Sequence, residues 1–161
     1  MDLHITLDDL VTVSVHEAGH AVMAVLQKMQ CSGIFLLASE NRFCSLVTSN
    51  SPLTKSDYLQ SAAGAAAELN FFKTYSWEYT RSDRTIFEEP GAPSWDAAVK
   101  EAQSILLDQR EKIQTLAVMV REASKLPCDQ AIKRGMDNDP RWFYELVDEA
   151  KLHQVCDNRI A

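Results

Sequence analysis

Apolar residues at positions 7, 10, 11, 15, 18, 22, 25, 26 and 29 recur every three to four residues, a period that predicts an amphipathic helix over 7–30. Thr6 followed by Asp9 reads as its capping box, and only the β-branched run Val11-Thr12-Val13 suits a strand as well. Gly33 offers the stop. Two short apolar runs, Ile34 to Leu37 and Phe43 to Thr48, then flank the polar segment 38–42, which predicts a β-hairpin. Thr54 with Asp57 repeats the capping signature and opens a second helix over 55–73. Its run Ala62-Ala-Gly-Ala-Ala-Ala67 is small enough to let another backbone come close. Residues 74–93 lose all period and mix Tyr, Trp, Arg, Asp, Glu, Pro and Gly, so they form the longest loop, a length often tied to function.

Ser94 caps a third helix with Asp96 in its first turn. That helix continues, or restarts once, to Leu126 before Pro127 stops it. A short helix is expected over 129–134, ending at Gly135. Asp139-Pro140 reads as a cap with proline in the first helical position, opening a last helix through Trp142, Phe143, Leu146 and Val147 to about Gln154, with Trp142-Phe143-Tyr144 as its packing cluster. The fold class that results is mostly α, an α+β chain with one small sheet after the first helix.

Composition narrows the possibilities. A chain of 161 residues with 46% hydrophobic and 24% charged residues is one ordinary domain, able to bury a core without a disulfide or a metal staple. Its net charge of -7 repels phosphate backbones and anionic lipid, so neither nucleic acid nor membrane is the expected partner. No stretch approaches the ~20 apolar residues of a membrane span, and the acidic amino terminus is unlike a signal peptide, so a cytoplasmic chain is expected. Cys31, Cys44, Cys128 and Cys156 form no C-x-x-C pair. In a reducing compartment they read as buried small hydrophobes.

The chemistry gathers in the first helix at His16-Glu17-Ala18-Gly19-His20. Two imidazoles four residues apart project from one helical face and can converge on one zinc ion. Glu17 is rotated off that face by one residue. It is placed to take a proton from a water at the metal instead of binding it. An acidic third ligand and an open fourth position would complete a catalytic site.

The segment His16 to Val22 resembles the active-site helix of FtsH-type zinc peptidases, the proteolytic domain that follows an ATPase module in those membrane proteases. Ala62 to Leu69 is similar to that family's small-residue helix with an acidic residue before a leucine. Gly91-Ala-Pro-Ser-Trp-Asp96 is similar to its segment opening a helix. The likeness covers residues 10 to about 110, with 111–161 a helical continuation, and treats 1–161 as a single domain of that kind. It implies a helical zincin-like peptidase fold, a zinc-dependent endopeptidase activity, and Asp96 as third ligand beside His16 and His20. Ala65 or a neighbour stands where the family carries an arginine, and Pro93-Ser94-Trp95 replaces its usual residues before the aspartate. Neither an ATPase module nor a membrane segment is read here, so the expected hydrolysis is ATP-independent, and energy-dependent degradation of folded proteins would need a separate unfoldase or adaptor.

Several residues remain open. Asp83 in the long loop is the alternative third ligand, unless Arg81 and Arg84 simply pair with it. Glu68 is expected to accept a hydrogen bond from His16 or His20 and so orient it. His4 and His153 read as surface residues. Tyr75, Trp77 and Tyr79 read as packing more than as substrate wall. Phe35 and Leu37 read as core, while an exposed hairpin edge would suit an extended peptide. Two rival functions stay in view: a binding or scaffold module that keeps the peptidase fold without turnover, and a small-molecule metallohydrolase. Substrate sequence and oligomeric state are not written in these patterns.

Overall fold

The computed structural model describes residues 7–37, 40, 42–125, 132–136 and 139–157. Thr6, His4, Cys128, the Pro127 stop and positions 129–131 of the expected short helix lie outside the described residues.

The chain is mostly helical with one small sheet, an α+β architecture. Helix α1 spans Leu7–Leu26, strands β1 and β2 span Cys31–Leu37 and Arg42–Val47, and α2 spans Lys55–Phe72. After the long loop come α3 (Trp95–Leu106) and α4 (Arg110–Ser124), separated by one turn of tighter helix. This is the restart the third helix allowed. Strands β3 (Ile132–Met136) and β4 (Asp139–Asp148) and helix α5 (Glu149–Cys156) complete the order.

Helix α1 ends earlier than its apolar period suggested, and not at Gly33. Lys28 takes the left-handed conformation at φ 58°, with Met29 N–H donating to Ala24 O at 2.8 Å, a Schellman-type stop made without glycine. Gly33 instead lies inside β1 at φ 127°, where any Cβ would strike the Val147 carbonyl of the neighbouring strand. Ser94 caps α3 as expected, accepting from Ala97 N–H at 3.1 Å.

Two expectations fail together at the carboxyl end. Residues 132–136 form a strand, not a helix ending at Gly135, and of the helix expected from Asp139 to about Gln154 the part up to Asp148 is β4, the rest lying in α5. The sheet order is β2-β1-β4-β3, antiparallel throughout. Aromatic and β-branched residues pack well on a pleated surface, and β1 has a second edge to fill. Strand β4 fills it, with Leu37 opposite Phe143 and Gly33 opposite Asp148. The helix cap moves accordingly from Asp139 to Asp148, whose carboxylate accepts from Lys151 N–H at 2.8 Å.

Side chains alternate across the hairpin. Ile34 and Leu36 face the helices and join the main core, whereas Phe35 and Leu37 pack with Cys44 and Leu46 on the other face. Phe43, opposite Leu36, and Ser45, opposite Ile34, share the helix-facing side. Helix α1 runs through the middle, packed against α2, α4 and the hairpin. Cys31, Cys44 and Cys156 are thiols outside any disulfide among the described residues. No helix among the described residues is long and apolar enough to cross a membrane.

Candidate metal centre

His16, Glu17 and His20 lie on the stretch of α1 that packs against α2, and all three are buried. The helices touch closely because both are small there. A Cβ on Gly19 would sit 2.6 Å from Ala67 Cβ and 2.7 Å from Ala63 O. Gly64 has a different duty: a Cβ there would lie 2.6 Å from His20 Nε2 and overlap the His16 ring. The small-residue run therefore makes room for the imidazoles as well as for the backbone.

The orientation of each ring follows from what its other nitrogen touches. His16 Nδ1 lies 2.7 Å from Glu68 Oε2, and His20 Nδ1 lies 2.7 Å from Gln60 O. A carboxylate and a carbonyl only accept, so both neutral rings carry their proton on Nδ1 and turn a bare Nε2 inward. Those two Nε2 atoms are 3.0 Å apart. Asp83 Oδ2 lies 3.0 Å from the first and 3.1 Å from the second. Three acceptors thus converge with no donor between them, an arrangement that only a cation satisfies. Glu17 adds a carboxylate oxygen within 4.8 Å of both rings' ligand atoms, and this group can hold a metal ion.

No family model, curated protein or solved structure matches the chain. The site is therefore read from its own geometry.

The electrostatics say the same thing in terms of protons. Burial opposes a charge on His16, but Asp83, Glu68 and Glu17 outweigh it and raise its pKa to about 10. His20 is raised too, with burial again opposing and Asp83 prevailing. Asp83 moves the other way: burial favours its neutral form, and the two histidines hold it well below the usual carboxylate range. Without a metal, the cluster recruits protons as its cation.

The position beside the imidazoles belongs to Asp83; Asp96, the expected third ligand, is not brought there. Asp96 lies exposed in the first turn of α3 and takes no part in lining the groove at the histidines. Asp83 arrives because the loop is tied down on the way. Ser76 N–H donates to Glu68 Oε1 at 3.0 Å, so one carboxylate both orients His16 and anchors the loop's start. Arg84 is not Asp83's partner. It lies 3.4 Å from the Trp77 ring centre and donates to Thr80 Oγ1 and Trp77 O. Tyr75 accepts from Trp95 Nε1 at 3.1 Å, and Phe87 stacks edge-on against Trp95. Tyr79 stands 6.3 Å from the His16 ring with its hydroxyl on Asp9, and burial pushes its pKa up to about 12.

A groove of about 740 Å³ opens over Glu17, His20 and Asp83. One wall is β2, through Arg42, Phe43, Ser45 and Val47, and another is the loop, through Tyr79, Arg81 and Ser82. Glu40, Arg42, Glu78, Arg81, Ser82 and Thr85 are exposed, so it is an open trough and not a closed chamber. A smaller apolar pocket of about 370 Å³, between the first turns of α2 and α3, is lined by none of the histidines. Ser45 escaped the sequence reading. Its Oγ lies 2.8 Å from Glu17 O and 2.9 Å from Glu17 Oε2. The signal was there, since it is a polar residue on the helix-facing side of a strand between Phe43 and Val47.

Proposed function

We propose that the chain is a zinc-dependent endopeptidase of the FtsH-peptidase type. The observation that supports this reading is the triangle of His16 Nε2, His20 Nε2 and Asp83 Oδ2, with sides of 3.0 to 3.1 Å. A tetrahedral zinc with bonds of about 2.0–2.1 Å spaces its ligand atoms about 3.3 Å apart, so the trio fits three corners and leaves a fourth open. Two nitrogens and one carboxylate are also the donor set of catalytic zinc. Bound there, zinc supplies a Lewis acid that polarises a carbonyl and makes a neighbouring water acidic. Glu17 stands beside that position, takes the proton from the attacking water and returns it to the departing amine.

The open trough favours an extended polypeptide over a small molecule. Strand β2 is an edge strand of the sheet, and its residues form one wall, so a peptide can lie along it by adding a strand. Folded substrates would require a separate unfoldase or adaptor. The test is metal analysis together with hydrolysis of casein, an unfolded protein, by wild type and Glu17→Gln. One equivalent of zinc in both, with hydrolysis reduced by about 10²–10⁴-fold in the variant, is expected. Undiminished hydrolysis by Glu17→Gln removes the mechanism. Stoichiometric zinc without cleavage of diverse peptides turns the reading to a scaffold module.

A further inference from the structure

The reading above leaves one question about Glu17. Its carboxylate lies within 4.8 Å of the imidazole nitrogens, close enough that a side-chain rotation carries it onto a bound metal. There it would fill the fourth position and cease to be a base. We propose that Ser45 is a positioning residue that holds Glu17 off the metal and beside it.

The contacts are specific. Ser45 Oγ sits 2.8 Å from the Glu17 carbonyl oxygen and 2.9 Å from Oε2, so one hydroxyl proton is shared between two acceptors of the same residue. Glu17 Oε1 has no hydrogen-bond donor among the described residues, and it is the oxygen that remains to accept from water. Ser45 cannot follow Glu17 if the side chain swings, because its strand is fixed in register opposite Ile34, a fully buried core residue. An apolar residue would be the natural choice at this helix-facing position. The hydroxyl there ties the wall of the groove to the base.

This inference rests on the metallopeptidase reading, and its test is arranged to separate the two. Cobalt(II) is the probe, since its visible absorption reports coordination number without any turnover. Wild type, Ser45→Ala and Ser45→Thr are loaded with cobalt, and peptide hydrolysis is followed in parallel. Loss of the latch is expected to bring Glu17 onto the metal in Ser45→Ala. Its cobalt bands then weaken towards those of a more highly coordinated ion, and cobalt affinity is unchanged or higher. Turnover falls about 10- to 100-fold in kcat with KM little changed. Ser45→Thr keeps the hydroxyl and suits a strand, and it restores both readouts. A Ser45→Ala protein with the wild-type cobalt spectrum overturns the proposal, whether or not peptides are cleaved, and leaves the metallopeptidase reading standing. A wild-type chain that binds no cobalt removes both.

Discussion

A carboxylate at position 83 and one at position 96 have the same intrinsic chemistry, and the chain decides between them by where it carries each. The pair His16 and His20 was legible in the sequence because helical period is a local property, fixed by spacing alone. The acid that faces them was not, since it depends on the path of a loop held by Glu68 at its start and by aromatic contacts to Trp95. Asp83→Asn is expected to weaken zinc binding by at least about a hundredfold, more than the loss of an outer partner of a ligand does. Asp96→Asn should leave zinc affinity unchanged and cost no more than about 0.5 kcal/mol through the α3 dipole. Competition against a chromophoric chelator measures both, and equal affinity in wild type and Asp83→Asn would return the third ligand to open question. Gly64→Ala makes a sharper demand on the geometry. Alanine favours a helix, so α2 should survive, but the added methyl meets the two Nε2 atoms. Zinc binding is expected to fall as far as in Asp83→Asn, while far-ultraviolet circular dichroism stays that of wild type.

Among the elements, the start of α2 shows how a local signature becomes a measurable quantity. Thr54 and Asp57 could be read as a capping box from the sequence, and Asp57 in fact gathers more than the motif requires. It accepts from Thr54 N–H at 2.7 Å, Asn50 N–H at 3.0 Å, and the side chains of both residues. Burial alone would raise its pKa, but these donors outweigh burial and lower it. A carboxylate depressed in the folded state stabilises the fold above its ordinary pKa of about 3.9, and the stabilisation disappears as pH falls through the lowered value. Asp57→Ala should therefore cost about 1–2 kcal/mol at pH 7, with the gap to wild type closing in strong acid. Urea unfolding at several pH values checks this, and a gap independent of pH would assign the effect to packing. Strand β4 was harder to read. Pro140 after Asp139 has the form of a helix start, and Trp142, Phe143, Leu146 and Val147 satisfy a helical period while being equally at home in a strand. What decides is the unfilled edge of β1, whose residues Ile34 to Leu37 are buried on both faces. No window of sequence around residue 140 contains that fact.

For the whole molecule, the candidate metal site lies where α1, α2 and the long loop meet, and beside the histidines the loop is held to the helices through Asp83, Glu68 and Tyr79. Without the metal only protons join the three acceptors, a weaker tie than bonds to one ion, and the loop's attachment is the part that can give way. Metal removal is thus expected to loosen residues 74–93 while the helical core persists. Trypsin provides the reading, because Arg81 and Arg84 flank Asp83. Cleavage there should be slow with zinc and accelerate with a chelator, whereas Asp83→Asn should be cut rapidly in either condition. Stability moves in parallel: zinc at a hundred times its dissociation constant adds about 2.7 kcal/mol, a rise in Tm of roughly 5–10 °C for a chain of this size. Metal binding needs the two Nε2 lone pairs free of protons, so the zinc-dependent gain should grow from pH 6 to pH 8. If zinc raised the melting temperature but left cleavage beside Asp83 unchanged, the ion would be held by the helices without the loop, and Glu17 would be the acid nearest to take the third place.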